Sequence, residues 1–266
     1  MQTMKEQYFT DERKPKKSII EQVSIDCVIF GFHDNQLKIL LLKFKGVDAW
    51  ALPGGFVFHN EGIEEAANRI LEDRTSIRDI YLEQFYVFGD KNRQFREMHE
   101  ELMLKNGILA EGNHWLFQRF ISIGFYALVD FSKVTPKSDN LSDNLSDNLS
   151  DNLSEICGWY DIEDIPSLAF DHLQIFQKAL STLRSGLDTK LVGFNLLPET
   201  FTMSELQSLY ETILGKKLIR TNFQRKILSL EILERVEKKY SGGSHKAPYI
   251  YCLDTAKGEA FLKSNF

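Results

Sequence analysis

Two runs rich in β-branched, aliphatic and aromatic residues open the pattern, Val23–Phe32 (VSIDCVIFGF) and Leu37–Phe44 (LKILLLKF). The polar tetrad His33-Asp34-Asn35-Gln36 between them predicts a β-hairpin. Residues 1–22 carry little apolar content and are expected to form a loose arm. After Trp50–Phe58 (WALPGGFVF), apolar residues recur at Ile63, Ala66, Ala67, Ile70 and Leu71, the spacing of an amphipathic helix. Strands are expected at Leu82–Phe88 and Ile121–Phe131, with a short helix over Glu97–Lys105 stopped by Asn106-Gly107. Ser138–Leu153 is the tetrapeptide Ser-Asp-Asn-Leu four times over. Ser, Asp and Asn favour turns over helix interiors, so residues 138–153 are read as a low-complexity loop insertion. A strand at Gly158–Asp161 and a helix from about Phe170 to Arg184 complete a first domain, 23–185.

Beyond Gly186–Lys190 the pattern changes, and a second domain, 186–266, is expected. Thr202-Met203-Ser204-Glu205 is a capping box, with Phe201 and Leu206 placed to form the hydrophobic staple beside it. The helix it opens buries Leu206, Leu209, Tyr210, Ile213 and Leu214, and Gly215 is its C-terminal stop. Thr221-Asn222-Phe223-Gln224 reads as a second capping box opening a second helix. A hairpin follows: LEILERVEKKY, a Ser-Gly-Gly-Ser-His-Lys turn, and APYIYCL. Helix, short turn, helix and β-ribbon is the order of a winged helix-turn-helix.

Composition sharpens this in two respects. The 266 residues are 43% hydrophobic and 26% charged, enough for a core and too polar for a fibrous or membrane-spanning chain. The three cysteines, Cys27, Cys157 and Cys252, form no Cys-x-x-Cys pair; a disulfide framework or zinc site is not expected, and the cytoplasm is the expected compartment. The net charge of −6 is unevenly spread: Gly215–Lys246 holds 9 basic and 3 acidic residues. A basic segment on an acidic body is the footprint of a nucleic-acid module joined to something else.

The candidate chemistry of the first domain begins at Gly55-x5-Glu61-x7-Arg69. This resembles the Nudix box, G-x5-E-x7-R-E-U-x-E-E-x-G-U, whose helical carboxylates hold Mg²⁺ or Mn²⁺ against a diphosphate. Here the metal-carboxylate positions are Ile70, Asp73 and Arg74, and the later glycine position is Ser76. The resemblance implies an α+β fold, a Nudix α/β/α sandwich with a mixed sheet followed by a winged helix, without the hydrolysis. The chain as a whole resembles Nudix-related transcriptional regulators of the NrtR and AraR types. The residues that carry this run from Val23–Phe30 through Trp50–Phe56, Tyr81–Gln84, Ile121–Val129, Leu168–His172 and Asn195–Phe201 to Leu206–Glu211 and Asn222–Lys226. Asp90–Arg119 is a long insertion against that pattern.

These readings give two candidate sites. Glu61, Arg69, Asp73, Arg74, Glu83, Arg93 and Arg119 are assigned to a polar effector cleft. Thr221, Asn222, Arg225, Lys226 and Ser229 on the second capped helix, with Lys238, Lys239, His245 and Lys246 in the wing, are assigned to DNA. Asn and Arg near a helix start read base edges in the major groove, whereas Lys and Ser meet phosphate. His99 and His114 have no partner at ligand spacing, so no metal or cofactor is expected; Asp171-His172 is read as a helix cap or signalling element. The expected partners are operator DNA, a second copy of the chain, and an effector that the resemblance implies is a pentose, a sugar phosphate or an ADP-ribose-like nucleotide. The alternatives are a Nudix hydrolase of a nucleoside diphosphate derivative such as ADP-ribose, and a protein-interaction adaptor.

Overall fold

The first run rich in β-branched and aromatic residues forms β1, Ile19–His33, hydrogen-bonded in the centre of a mixed sheet. The structure is a computed structural model that describes residues 19–76, 80–107, 112, 114–134, 136, 154–238 and 248–264. The chain divides into two compact units, Met1–Gly31 with Lys38–Ala179, and Phe32–Leu37 with Leu180–Phe266. Most of the expected arm and the Ser-Asp-Asn-Leu repeat lie outside the described residues; Ile19–Gln22, expected in the arm, begin β1 instead.

In the first unit β1 pairs with β2 (Gln36–Phe44), with β4 (Gly54–Phe58) and, in parallel, with β6 (Ile121–Val129). Beyond them stand β3 (Trp50–Ala51) and β7 (Ser154–Asp161) on β2, and β5 (Tyr81–Phe88) on β6. The parallel pair among antiparallel neighbours makes the sheet mixed. α1 (Ile63–Thr75) lays Ala66, Ala67, Ile70 and Leu71 against Ile25, Cys27 and Ile29 of β1. On the other face, Phe44 packs with Leu102 of α2 (Arg96–Lys105), and Phe30 meets Phe176 of α3 (His172–Gly186) at 6.1 Å. Helices on both faces of one sheet satisfy its two apolar surfaces.

Several boundaries move. β6 ends at Val129 and Phe131–Lys133 turns as a 3₁₀ segment, its amide ladder replaced by Asp130, which accepts from the Ser132 N–H. β7 starts at Ser154, four residues earlier than expected, because Ser154, Ile156 and Cys157 pair with β2.

In the second unit β8 (Phe201–Thr202) leads into α4 (Met203–Leu214). The Thr202 box forms as read: Glu205 N–H donates to Thr202 Oγ1 at 3.2 Å and Thr202 N–H donates to Glu205 Oε2 at 2.6 Å. Gly215 closes the helix at φ 67°, the left-handed region that glycine enters without strain. The second box does not form. α5 spans Arg220–Ser229 with Ile219 at its cap, so Thr221 is already helical and has no orphan amide to accept from. β9 (Leu233–Lys238) and β10 (Tyr249–Leu253) form the ribbon, β8 adds to its edge, and α6 (Thr255–Ser264) follows. No helix among the described residues is long and apolar enough to cross a membrane.

Candidate functional site

Pleating along β1 sets the first site. Ile25 and Cys27 face α1, so Asp26 between them faces the other way, into a cleft of about 140 Å³ that is partly open to solvent. Its walls are mostly apolar, with Phe44, Phe56, Phe95, Phe120, Phe170 and Leu102 among them. At its polar end four charged or titratable side chains converge, each only 7–12% exposed. Arg93 donates from Nε and Nη2 to the two oxygens of Asp171 at 2.8 and 3.0 Å, and from Nη2 to Asp26 Oδ2 at 3.4 Å. Ser122 Oγ donates to the same Asp26 oxygen. His172 Nδ1 accepts the Leu52 N–H at 3.0 Å, which leaves the proton on Nε2, 3.5 Å from Asp26 Oδ1. Burial, the largest influence, holds the His172 imidazole below its ordinary range and keeps it neutral, although Asp26 and Asp171 pull the other way. One guanidinium thus serves two carboxylates beside a neutral imidazole.

Local backbone positions this group. Gly54 lies against β1 so closely that a Cβ there would stand 2.7 Å from the Ile25 carbonyl and 2.9 Å from Asp26 Oδ1. Phe170 adopts φ 55°, in the left-handed region, immediately before Asp171 and His172. For a non-glycine residue that costs about 1–2 kcal/mol, and such strain is characteristic of sites whose side chains must be aimed.

Of the residues assigned to the effector cleft from sequence, Arg93 lines it. Glu61 and Arg69 come together as a bidentate pair, with N–O distances of 3.0 and 2.7 Å. Arg69 also donates to the Phe56 carbonyl at 2.8 Å and stacks 4.2 Å over the Phe58 ring, so the pair staples the loop between β4 and α1. Asp73 is exposed, Arg74 is buried at 4% exposure, and neither lines the cleft. Glu83 accepts hydrogen bonds from Tyr126, at 2.8 Å, and from Tyr81 in the sheet. Arg119, exposed, donates to the Gly89 carbonyl at 2.7 Å. The sequence reading missed Asp26, although a carboxylate inside an apolar strand run is itself a signal of burial with a partner. Asp171 and His172, read as a cap or signalling element, belong to the same ionic group.

The metal that the box implies is not matched by these residues. Ile70 is 2% exposed within the apolar core, and a buried guanidinium stands at position 74. Among the described residues no group of three His, Cys, Asp or Glu is placed to hold a metal ion. Cys27 offers no thiolate either, since burial pushes its thiol far above its ordinary range.

The second site is the outer face of α5. Phe223 and Ile227 are buried, at 5% and 0%, whereas Thr221, Asn222, Arg225, Lys226 and Ser229 are exposed. Arg225 Nη2 donates to Asn222 Oδ1 at 3.2 Å, one turn apart. Lys226 Nζ pairs with Asp188 at 2.5 Å, and the Ser229 hydroxyl turns back to the Lys226 carbonyl at 2.7 Å. Lys239, His245 and Lys246 of the wing lie outside the described residues, as does the Lys238 side chain.

Comparison with known proteins bears on both units. The NUDIX domain family matches residues 21–179, and the NrtR DNA-binding winged helix domain matches residues 193–253. The chain is 27% identical over 232 residues to a protein of Acinetobacter baylyi named as the ADPR responsive transcriptional repressor NtrR, covering 85% of this chain and 79% of that one. Shewanella oneidensis NrtR, solved with a 27mer DNA, superimposes with a TM-score of 0.63 at 25% identity, covering 90% of this chain and 96% of that one. A MutT/nudix family protein from Enterococcus faecalis shares the fold, with a TM-score of 0.58 at 20% identity and 88% of each chain covered. The chain belongs to the Nudix family and joins its Nudix domain to a winged helix domain of the NrtR type.

Proposed function

We propose that this chain is an effector-responsive transcriptional repressor that binds operator DNA through α5 and its wing and a small metabolite in the cleft at Asp26. The observation that carries the reading is a cleft retained beside a box whose metal positions have become core and cation, Ile70 and Arg74. Binding without hydrolysis is the chemistry left to such a domain. On the DNA side, the exposed polar face of α5 supports major-groove entry, since Asn222 and Arg225, bonded to each other one turn apart, are residue types that read base edges. A homodimer is part of this reading, because paired winged helices meet an inverted repeat with half-sites about one helical turn apart.

ADP-ribose is the first effector to test, since the Acinetobacter baylyi relative is a repressor named for responding to ADPR. A second reading, an unphosphorylated pentose, is favoured by the polar end of the cleft: Arg93 is already committed to Asp26 and Asp171, which suits hydroxyl donors better than phosphate. A thermal-shift series with ADP-ribose, arabinose, ribose and ribose 5-phosphate tests both. One of these ligands is expected to raise the melting temperature, and Phe95→Ala, which opens the cleft wall, to diminish that gain. Incubation of ADP-ribose with Mg²⁺ or Mn²⁺ is expected to yield no product above blank. Metal-dependent turnover lost in Asp73→Ala would restore the hydrolase.

A further inference from the structure

The lysines and histidine near the turn drew the sequence reading of the wing, which passed over Arg235 on β9. Arg235 stands directly across the ribbon from Tyr251. The register slips between Tyr249 and Tyr251, with the extra residue on β9, and the resulting twist brings Arg235 to both rings. Its guanidinium carbon lies 4.0 Å from the centroid of Tyr249 and 5.9 Å from that of Tyr251. The side chain is exposed, and among the described residues no carboxylate lies within ion-pair distance of it. On α5, by contrast, Arg225 is tied to Asn222 and Lys226 to Asp188.

Stacking occupies the flat face of a guanidinium and leaves the N–H donors around its rim free. It also removes rotamer freedom in advance, so less is lost when those donors engage an anion. A cation ordered by aromatic rings, exposed and without an acidic partner among the described residues, on the ribbon of a winged helix, fits a phosphodiester, which takes paired N–H donors in fork geometry. We infer that Arg235 is a DNA-phosphate contact of the wing, with Tyr249 the positioning residue that holds it. This rests on the DNA-binding reading of the second unit.

The test is fluorescence anisotropy of the full chain with a labelled mixed-sequence duplex, titrated from about 50 to about 200 mM salt. Phosphate contacts are sequence-independent, so no operator is needed. Arg235→Ala is expected to weaken binding about tenfold and to make the log–log salt slope shallower by about one unit. Arg235→Lys and Tyr249→Leu keep the charge, and each is expected to lose affinity several-fold at an unchanged slope. Melting curves of the same variants report whether the ribbon is intact. Wild-type affinity and slope in Arg235→Ala would overturn the inference and leave the DNA reading standing. So would a weaker Arg235→Ala whose slope is unchanged and whose melting temperature falls, the signature of a packing role. A wild-type chain that binds no duplex at the lowest salt would refute DNA binding itself, and this contact with it.

Discussion

Ser76 ends α1 at φ 61°, at the position where the Nudix pattern has glycine. Its N–H still donates to the Glu72 carbonyl at 2.7 Å, so the cap is made in spite of a Cβ that the left-handed region disfavours. Ser76→Gly is therefore expected to stabilise the chain by about 0.5–1 kcal/mol, the αL strain relieved less the extra backbone entropy of glycine. A melting temperature raised by about 1–4 °C would register it, and a lowered one would show that the Ser76 side chain contributes more than the strain removes. His99 gives a pH dependence of known sign. Burial lowers its pKa from 6.5 to about 4, against a Phe95 carbonyl hydrogen bond that pulls it up. The unfolded chain then binds the proton more tightly, so stability present above pH 6.5 is lost as pH falls toward 4. His172, lowered in the same direction, adds to this. Melting temperatures measured from pH 7.5 to 5 are expected to fall, and to fall less in His99→Phe, which keeps a ring stacked near Phe170. Equal slopes in the two proteins would contradict the assignment.

Which elements could be read from sequence follows from how local their causes are. Thr202 caps α4 because signature and backbone agree within four residues. Thr221-Asn222-Phe223-Gln224 carries an equally good signature, yet α5 starts at Arg220 after an extended Ile219, which places Thr221 one residue inside the helix. β8, two residues long, exists only through pairing of Phe201 with Tyr251 and Thr202 with Ile250, which no local pattern announces. α6 carries Gly258 in its middle and a weak apolar stripe, and it was not predicted. The amphipathic faces of α1 and α5 were legible, since periodicity alone decides which side is buried. The cleft was legible only in Arg93. Asp26, Arg93 and Asp171 are separated by 67 and 78 residues in sequence, and the pairing of one cation with two carboxylates is set by the sheet.

Two units with different charge and different chemistry share one chain: a cleft walled by aromatic rings around a buried ionic group, and a helix and ribbon that expose cations. Each half is intelligible alone, but regulation requires that ligand in one change affinity in the other, and such coupling is reciprocal. An effector can shift DNA binding only by as much as it discriminates between the DNA-bound and free forms. The central claim is therefore tested most directly by anisotropy of the full chain on a labelled duplex taken from upstream of its own gene, titrated with ADP-ribose and, in parallel, with arabinose. The account predicts a saturable release of DNA by one of them, on the order of 10-fold in affinity or more, at concentrations that also raise the melting temperature of the free protein. DNA affinity unchanged at ligand concentrations that saturate the cleft would contradict it.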